Sequence, residues 1–199
     1  KMKILIITDA WEPQVNGVVK TYQNVKTEIE KYGHKVEIIH SKWSHYNGGE
    51  PTHLWRTFKL PFYTDIEFMR NPWLYKLDIT SRSYLDYKVH IATEGPLGAY
   101  AKYILDKEDR PYTTSYHTRI PEYLSRYTKL PAKVFYPYFK WFHSKSKCVM
   151  TPTNGMIDKL KEKGFKNLAL WTRGVNHNIF NPKFRQVLHR PYIVCVSRV

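Results

Sequence analysis

Short apolar runs alternating with helix-compatible segments constrain this chain more than any other feature. Ile4–Ile7, Lys35–His40, Val89–Ala92, Tyr112–Tyr116, Cys148–Thr151 and Leu168–Trp171 each have the length and pattern of a strand. Helical segments fall between them: one follows Asn16-Gly17 and is closed by Gly33, one runs from Pro96 to Leu105, and one over Glu122–Tyr127 is started by Pro121. Ala132–Ser144, begun by Pro131, and Asn154–Lys163, closed by Gly164, complete the set. Such alternation predicts an α/β domain with an open, doubly wound parallel sheet covered on both faces. A further short strand is expected around Leu54–Thr57, Leu60–Asp65 reads as a loop, and apolar residues recur at helical spacing between Asn71 and Leu85.

With 199 residues the chain is long enough for one sizeable domain and hardly for two. Met2 reads as the natural start, with Lys1 left over in front of it. Near the other end, Tyr192–Val196 begins a fresh strand that needs a partner and a covering layer. The expected division is therefore a domain over 2–182, then a linker and the first strand of a second domain over 183–199. The alternative is that Tyr192–Val196 pairs at the edge of the first sheet.

Charge is the strongest compositional signal, with 32 Lys and Arg against 17 Asp and Glu. It predicts an anionic partner: nucleic acid, the anionic face of a membrane, or a small phosphorylated substrate. No helix-turn-helix, zinc-finger or RNP-type pattern is present, so nucleic acid is not expected. No apolar run is long enough to span a bilayer. Cys148 and Cys195, the only cysteines, suggest neither a disulfide framework nor a metal site, and a reducing cytoplasm is the economical location.

Ligands of open α/β sheets lie outside the carboxyl ends of the strands, so the loops Asp9–Gly17, Thr93–Gly98 and Tyr116–Arg119 should converge on one crevice. Gly17 lets backbone approach a ligand closely where a helix presents unpaired N–H groups, a place that suits phosphate or a sugar hydroxyl. His117 is the candidate catalytic residue, because an imidazole at a strand end can donate to a hydroxyl or phosphate and titrates near neutral pH; the alternative is a structural histidine. Glu94 can accept from hydroxyls or cap the next helix. Asn16, Gly95 and Tyr116 join the candidate binding set, and Arg119 and Arg173 either hold phosphate or are solvated.

Several motifs in order carry a family resemblance. They are Asp9…Pro13…Asn16-Gly17-Val18, Tyr32-Gly33-His34-Lys35-Val36, Thr93-Glu94-Gly95-Pro96-Leu97-Gly98, Thr114-Ser115-Tyr116-His117-Thr118 with Trp141-Phe142-His143, and Trp171-Thr172-Arg173-Gly174-Val175…Phe180-Asn181-Pro182. Together they resemble the amino-terminal domain of glycosyltransferase family 4, and are similar to its bacterial α-mannosyltransferase-like and sulfolipid-synthase-like members. The resemblance covers nearly the whole chain from Met2. It implies one Rossmann-like half of a GT-B enzyme that transfers a hexose, such as mannose or glucose, from a GDP- or UDP-sugar to a lipid or glycan acceptor. It further implies retention of configuration, no metal or other cofactor, an acceptor-holding role for this domain, and contact between His117 and the transferred sugar. Ser197-Arg198-Val199 matches the start of the second domain, where the family usually has Gly-Arg-Leu and the arginine faces the diphosphate. The donor-holding Lys and paired-glutamate motif would follow Val199, so the chain alone is expected to be inactive. A stand-alone glycan- or lipid-headgroup-binding module and another Rossmann-type nucleotide-dependent enzyme are the alternatives.

One stretch points to the inner face of a membrane. Lys129–Lys147 holds five lysines and no acid, with Phe135, Tyr138, Phe139 and Phe142 at helical spacing. Either those aromatics meet an anionic bilayer, or they pack on the sheet and the lysines are merely solvated. Pro137 weakens a continuous helix there.

Overall fold

The computed structural model describes residues 1–12, 14–41, 57–60, 63–70, 79, 82–172, 174–185, 193 and 195. Six strands form a parallel sheet: β1 (Lys3–Thr8), β2 (Lys35–His40), β5 (Tyr87–Ile91), β6 (Tyr112–Ser115), β7 (Val149–Thr151) and β8 (Leu168–Leu170), in the order β2-β1-β5-β6-β7-β8. The order turns back at β1, which has β2 on one side and β5 on the other, so the ends of β1 and β5 border a topological switch point. This is a Rossmann-like α/β architecture.

Alternation along each strand divides the core. Leu5, Ile7, Val89 and Ile91 face α2 (Pro96–Lys107), whose Leu97, Ala101 and Leu105 are fully buried against them with Phe142 of α4 (Tyr136–His143). Ile4, Ile6, Val36 and Ile38 face the other way, towards Val18, Tyr22 and Ile29 of α1 (Gly17–Lys31). A third cluster joins Tyr116, Val149 and Leu168 to Tyr136 and Phe139 of α4 and Leu160 of α5 (Asn154–Glu162). On the α1 face a groove of about 1480 Å³ runs between that helix and the 174–180 segment, floored by Ile6, His90, Thr113 and Met150.

Local chemistry sets the helix ends. Asn16 caps α1, Thr153 caps α5, and Gly33 and Gly164 take left-handed φ of 77° and 81° just past the same two helices, a conformation that costs side-chain-bearing residues. Pro96 and Pro121 open α2 and α3 (Ile120–Thr128), where a missing N–H is harmless.

The structure corrects two expectations and leaves a third mostly outside the described residues. Leu60–Asp65 is not a loop throughout: Leu60 ends β3 (Thr57–Leu60) and Tyr63 opens β4 (Tyr63–Met69), an antiparallel pair. Of the strand expected at Leu54–Thr57, only Thr57 is described, and it begins β3. The helix expected over Ala132–Ser144 is divided into a short 3₁₀ turn at Ala132–Val134 and α4, and Pro137 lies in the first turn of α4 rather than breaking it. Positions 71–78 lie outside the described residues, as does most of 186–199; Ile193 is described, is 98% exposed and belongs to no strand.

Candidate active site

The carboxyl ends of β1, β5, β6 and β8 gather the loops expected to form a crevice. The tie between the first two is Asp9, which follows β1 and is 1% exposed. Its Oδ1 accepts from the Leu97 N–H at 3.0 Å, and its Oδ2 accepts from the Thr93 hydroxyl at 2.9 Å and, more weakly, from the Gly98 N–H at 3.4 Å. A carboxylate is thus buried at the positive end of α2, filling the cap that Gly95 has no side chain to supply. Burial raises the Asp9 carboxyl to about 6, against the lowering effect of those hydrogen bonds. Gly95 packs so closely that a Cβ there would fall on the Asp9 carboxylate.

Glu94 neither caps α2 nor stands free. Its side chain is 4% exposed and places Oε1 3.5 Å from Nε2 of His143, also buried, whose Nδ1 meets the Thr114 hydroxyl at 2.8 Å. The Tyr138 hydroxyl donates to the Glu94 carbonyl at 2.6 Å, fixing the loop to α4. Tyr116 is 1% exposed, with its ring edge-on to Phe139 and Phe165. Both residues sit in the packing beneath the strand ends.

His117 is half-buried, on the side of the sheet that carries α1. Its Nε2 is 3.0 Å from the Tyr22 hydroxyl, which also lies 2.7 Å from His90 Nε2 and 2.9 Å from Ser115 Oγ. His90 Nδ1 is 2.7 Å from the Thr113 hydroxyl, and burial lowers this imidazole to about 4, so it is neutral at physiological pH. The network closes if Tyr22 donates to neutral His90 and accepts from His117 Nε2–H. Trp171, just after β8, packs on both partners, with ring centroids 5.8 Å from Tyr22 and 5.9 Å from His117. An imidazole is thereby held in one orientation at the strand ends.

Asn16 Oδ1 accepts from the Val18 and Val19 N–H groups at 3.0 Å each, so its carbonyl end serves the helix cap and leaves Gly17 exposed as the first residue of α1. Arg119 is exposed immediately before α3. Arg173 and Arg198 lie outside the described residues. The structure therefore brings Asn16, Gly17, Gly95, His117 and Arg119 to the strand-end region and sends Glu94 and Tyr116 into the core. Sequence reasoning does not single out Tyr22 or His90, and it reaches Asp9 and Trp171 only as parts of motifs.

Such a crevice offers a helix N-terminus, an anchored imidazole and a cation, a set suited to sugar hydroxyls and phosphate. A family model for Glycosyltransferase Family 4 matches residues 15–179. The chain belongs to glycosyltransferase family 4. The match takes in α1, both central crossovers and the His117 loop of the family 4 domain. This domain is similar to a GDP-mannose-dependent alpha-mannosyltransferase of Corynebacterium glutamicum, at 24% identity over 95% of this chain and 47% of the relative. It is also similar to an alpha-monoglucosyldiacylglycerol synthase of Streptococcus pneumoniae, 32% identical over 62% of this chain and 28% of the relative. A sulfoquinovosyl transferase of Arabidopsis thaliana is 29% identical over 49% of this chain and 20% of that protein. The chain spans about half the length of the mannosyltransferase and less of the other two.

Proposed function

We propose that this family 4 domain is the acceptor-side half of a GT-B glycosyltransferase that moves a hexose, mannose or glucose, from a nucleotide sugar to a lipid or glycan acceptor, with retention of configuration and without a metal. The observation that carries this reading is the anchoring of His117 at the strand ends by Tyr22, itself fixed by neutral His90 and Ser115. Orienting an imidazole in this way fits hydrogen bonding to a sugar hydroxyl as charge develops, because little reorganisation is then needed. The names of the relatives supply the chemical class: one depends on GDP-mannose and another makes a monoglucosylated diacylglycerol. Gly17 and the first turn of α1 would face the donor phosphates, Arg119 and Arg173 would hold phosphate, and Arg198, by the family resemblance, would face the diphosphate. The domain works in the cytoplasm on this reading.

The test is transfer of labelled hexose from GDP- and UDP-sugars to lipid and glycan acceptors by the full-length protein. Turnover that falls about 10²-fold or more in His117→Ala, with the melting temperature unchanged, supports the reading. Full turnover in His117→Ala contradicts the site, and binding of glycan without any transfer favours the binding-module alternative.

A further inference from the structure

Alternation along β6 sets three polar side chains in a line. Thr113 and Ser115 stand two apart on the strand and share its α1 side, and His117 reaches the same side just past the strand end. His90 of β5 is the ladder partner of Thr113, and both lie on the floor of the α1-face groove. Hydrogen bonds join these residues through Tyr22 into one row, from Thr113 to His90, then Tyr22, then His117.

His90 is 7% exposed and neutral, so one of its ring nitrogens donates and the other accepts. Two directions then close the row. In one, His117 Nε2–H donates to the Tyr22 oxygen, the Tyr22 hydroxyl donates to His90 Nε2, and His90 Nδ1–H donates to Thr113 Oγ1. In the other, every bond is reversed. Lengths favour the first, because N–H donors lie about 2.9–3.0 Å from oxygen and hydroxyl donors about 2.7–2.8 Å from their acceptors. The Tyr22 oxygen is 2.7 Å from His90 Nε2 and 3.0 Å from His117 Nε2, as befits a donor to His90 and an acceptor from His117. The Thr113 contact, at 2.7 Å, still lies within the N–H range of about 2.7–3.2 Å. Protonation of His117 is compatible with the first direction alone, since an imidazolium has no nitrogen left to accept.

We propose that His90 and Thr113 are positioning residues that set the tautomer of His117. Thr113 accepts from His90 Nδ1–H, which leaves His90 Nε2 to accept from Tyr22 and so keeps the His117 proton on Nε2. The use of that tautomer rests on the sugar-transfer reading, which it deepens. A sugar hydroxyl that meets neutral His117 must donate to Nδ1. Selection of this kind is strong, because a partner without the matching hydrogen leaves a polar group unpaired. Thr113 acts at two removes, from the groove side of the sheet.

The experiment reads the imidazole nitrogens directly, by long-range proton–nitrogen NMR of the 199-residue chain labelled in histidine at about pH 8, above the ordinary imidazole range. His90→Gln and His117→Ala assign the peaks. Wild type should show His90 as the Nδ1–H tautomer and His117 as the Nε2–H tautomer. Thr113→Val leaves His90 Nδ1–H facing a methyl group and should move His90 to Nε2–H, while Thr113→Ser should keep the wild-type tautomers. Ser115, 2.9 Å from the Tyr22 oxygen, offers that hydroxyl a second acceptor. With Ser115→Ala added to Thr113→Val, Tyr22 should donate to His117 and drive it to Nδ1–H. In the full-length protein the double variant should lower kcat for sugar transfer about tenfold or more while KM stays within about twofold. Wild-type His90 as Nε2–H, wild-type His117 as Nδ1–H, His117 unmoved in the double variant, or an unchanged kcat where it has moved would each overturn the proposal. Reversed tautomers with sugar transfer intact would strike this row and spare the transfer reading, and the predicted tautomers with no transfer by wild type would do the opposite. Near-UV circular dichroism checks that each variant folds, and the wild-type spectra decide the direction of the row if a variant unfolds.

Discussion

The Asp9→Asn substitution tests the most unusual electrostatic feature of the fold. The Asp9 carboxyl rises from 3.8 to about 6, mainly through burial. At about 1.36 kcal/mol per pH unit, a rise of that size amounts to about 3 kcal/mol. Because folding raises the pKa of this acid, the folded chain holds the proton more tightly than the unfolded chain does. The associated stability is fully present below the unfolded value of 3.8 and is lost as pH rises through about 6. The amide of Asp9→Asn keeps an acceptor for the Leu97 N–H and can donate to the Thr93 oxygen, giving up the hydrogen bond that the Thr93 hydroxyl donates and the longer contact from Gly98. It cannot ionise. Urea unfolding between about pH 4 and pH 7.5 should therefore show the variant gaining about 2 kcal/mol relative to wild type as pH rises, the rest of the change falling below pH 4, whatever constant offset the substitution adds. Subtracting the two curves cancels every other titrating group. A difference that stays flat to within about 0.5 kcal/mol would refute the assignment of a buried, poorly solvated charge to Asp9.

Tyr22→Phe removes a hydroxyl shared by His90, Ser115 and His117, and should cost about 1–3 kcal/mol in chemical unfolding while moving the His117 ring resonances in NMR spectra. Unmoved His117 resonances would mean that Tyr22 does not orient it. Gly98→Ala drives a Cβ into the Thr93 carbonyl oxygen and should destabilise by about 1–3 kcal/mol, whereas Gly155→Ala, with open space around the same atom, should stabilise α5 by about 0.5–1 kcal/mol. Thermal melts that rank the two glycines in the opposite order would contradict the packing described at the α2 start.

The layout of the sheet was legible because each strand carries its own local signal. Lys35–Ile38 alternates polar with apolar, and Lys35–His40 is β2 residue for residue. The β3–β4 pair was not legible: Leu60–Asp65 carries Pro61 and mixed polarity, and only antiparallel pairing puts Leu60 and Tyr63–Asp65 in a sheet. The site divides along the same line. His117 could be named from its place after a strand, but Tyr22 and His90 are 95 and 27 positions away from it in the chain, and their hydroxyl and imidazole acquire a role only when α1, β5 and β6 are side by side. The α4 aromatics show the limit of periodicity, which places Phe135, Tyr138, Phe139 and Phe142 on one helical face, whereas Phe135 precedes α4, Phe139 and Phe142 are buried and Tyr138 is exposed. Glu94 and Tyr116 looked like crevice residues because they flank it in sequence; alternation just past β6 turns Tyr116 away from the side that holds Ser115 and His117, and the loop after β5 buries Glu94 against His143.

Hexose transfer by the full-length protein, measured in parallel for wild type, His117→Ala and the distant surface variant Lys159→Glu, tests the central claim most directly. The account predicts transfer from a GDP- or UDP-sugar that the surface variant retains and that His117→Ala loses by about 10²-fold or more without a change in melting temperature. Transfer unaffected by His117→Ala, or no transfer from any nucleotide sugar to any lipid or glycan acceptor, would contradict it.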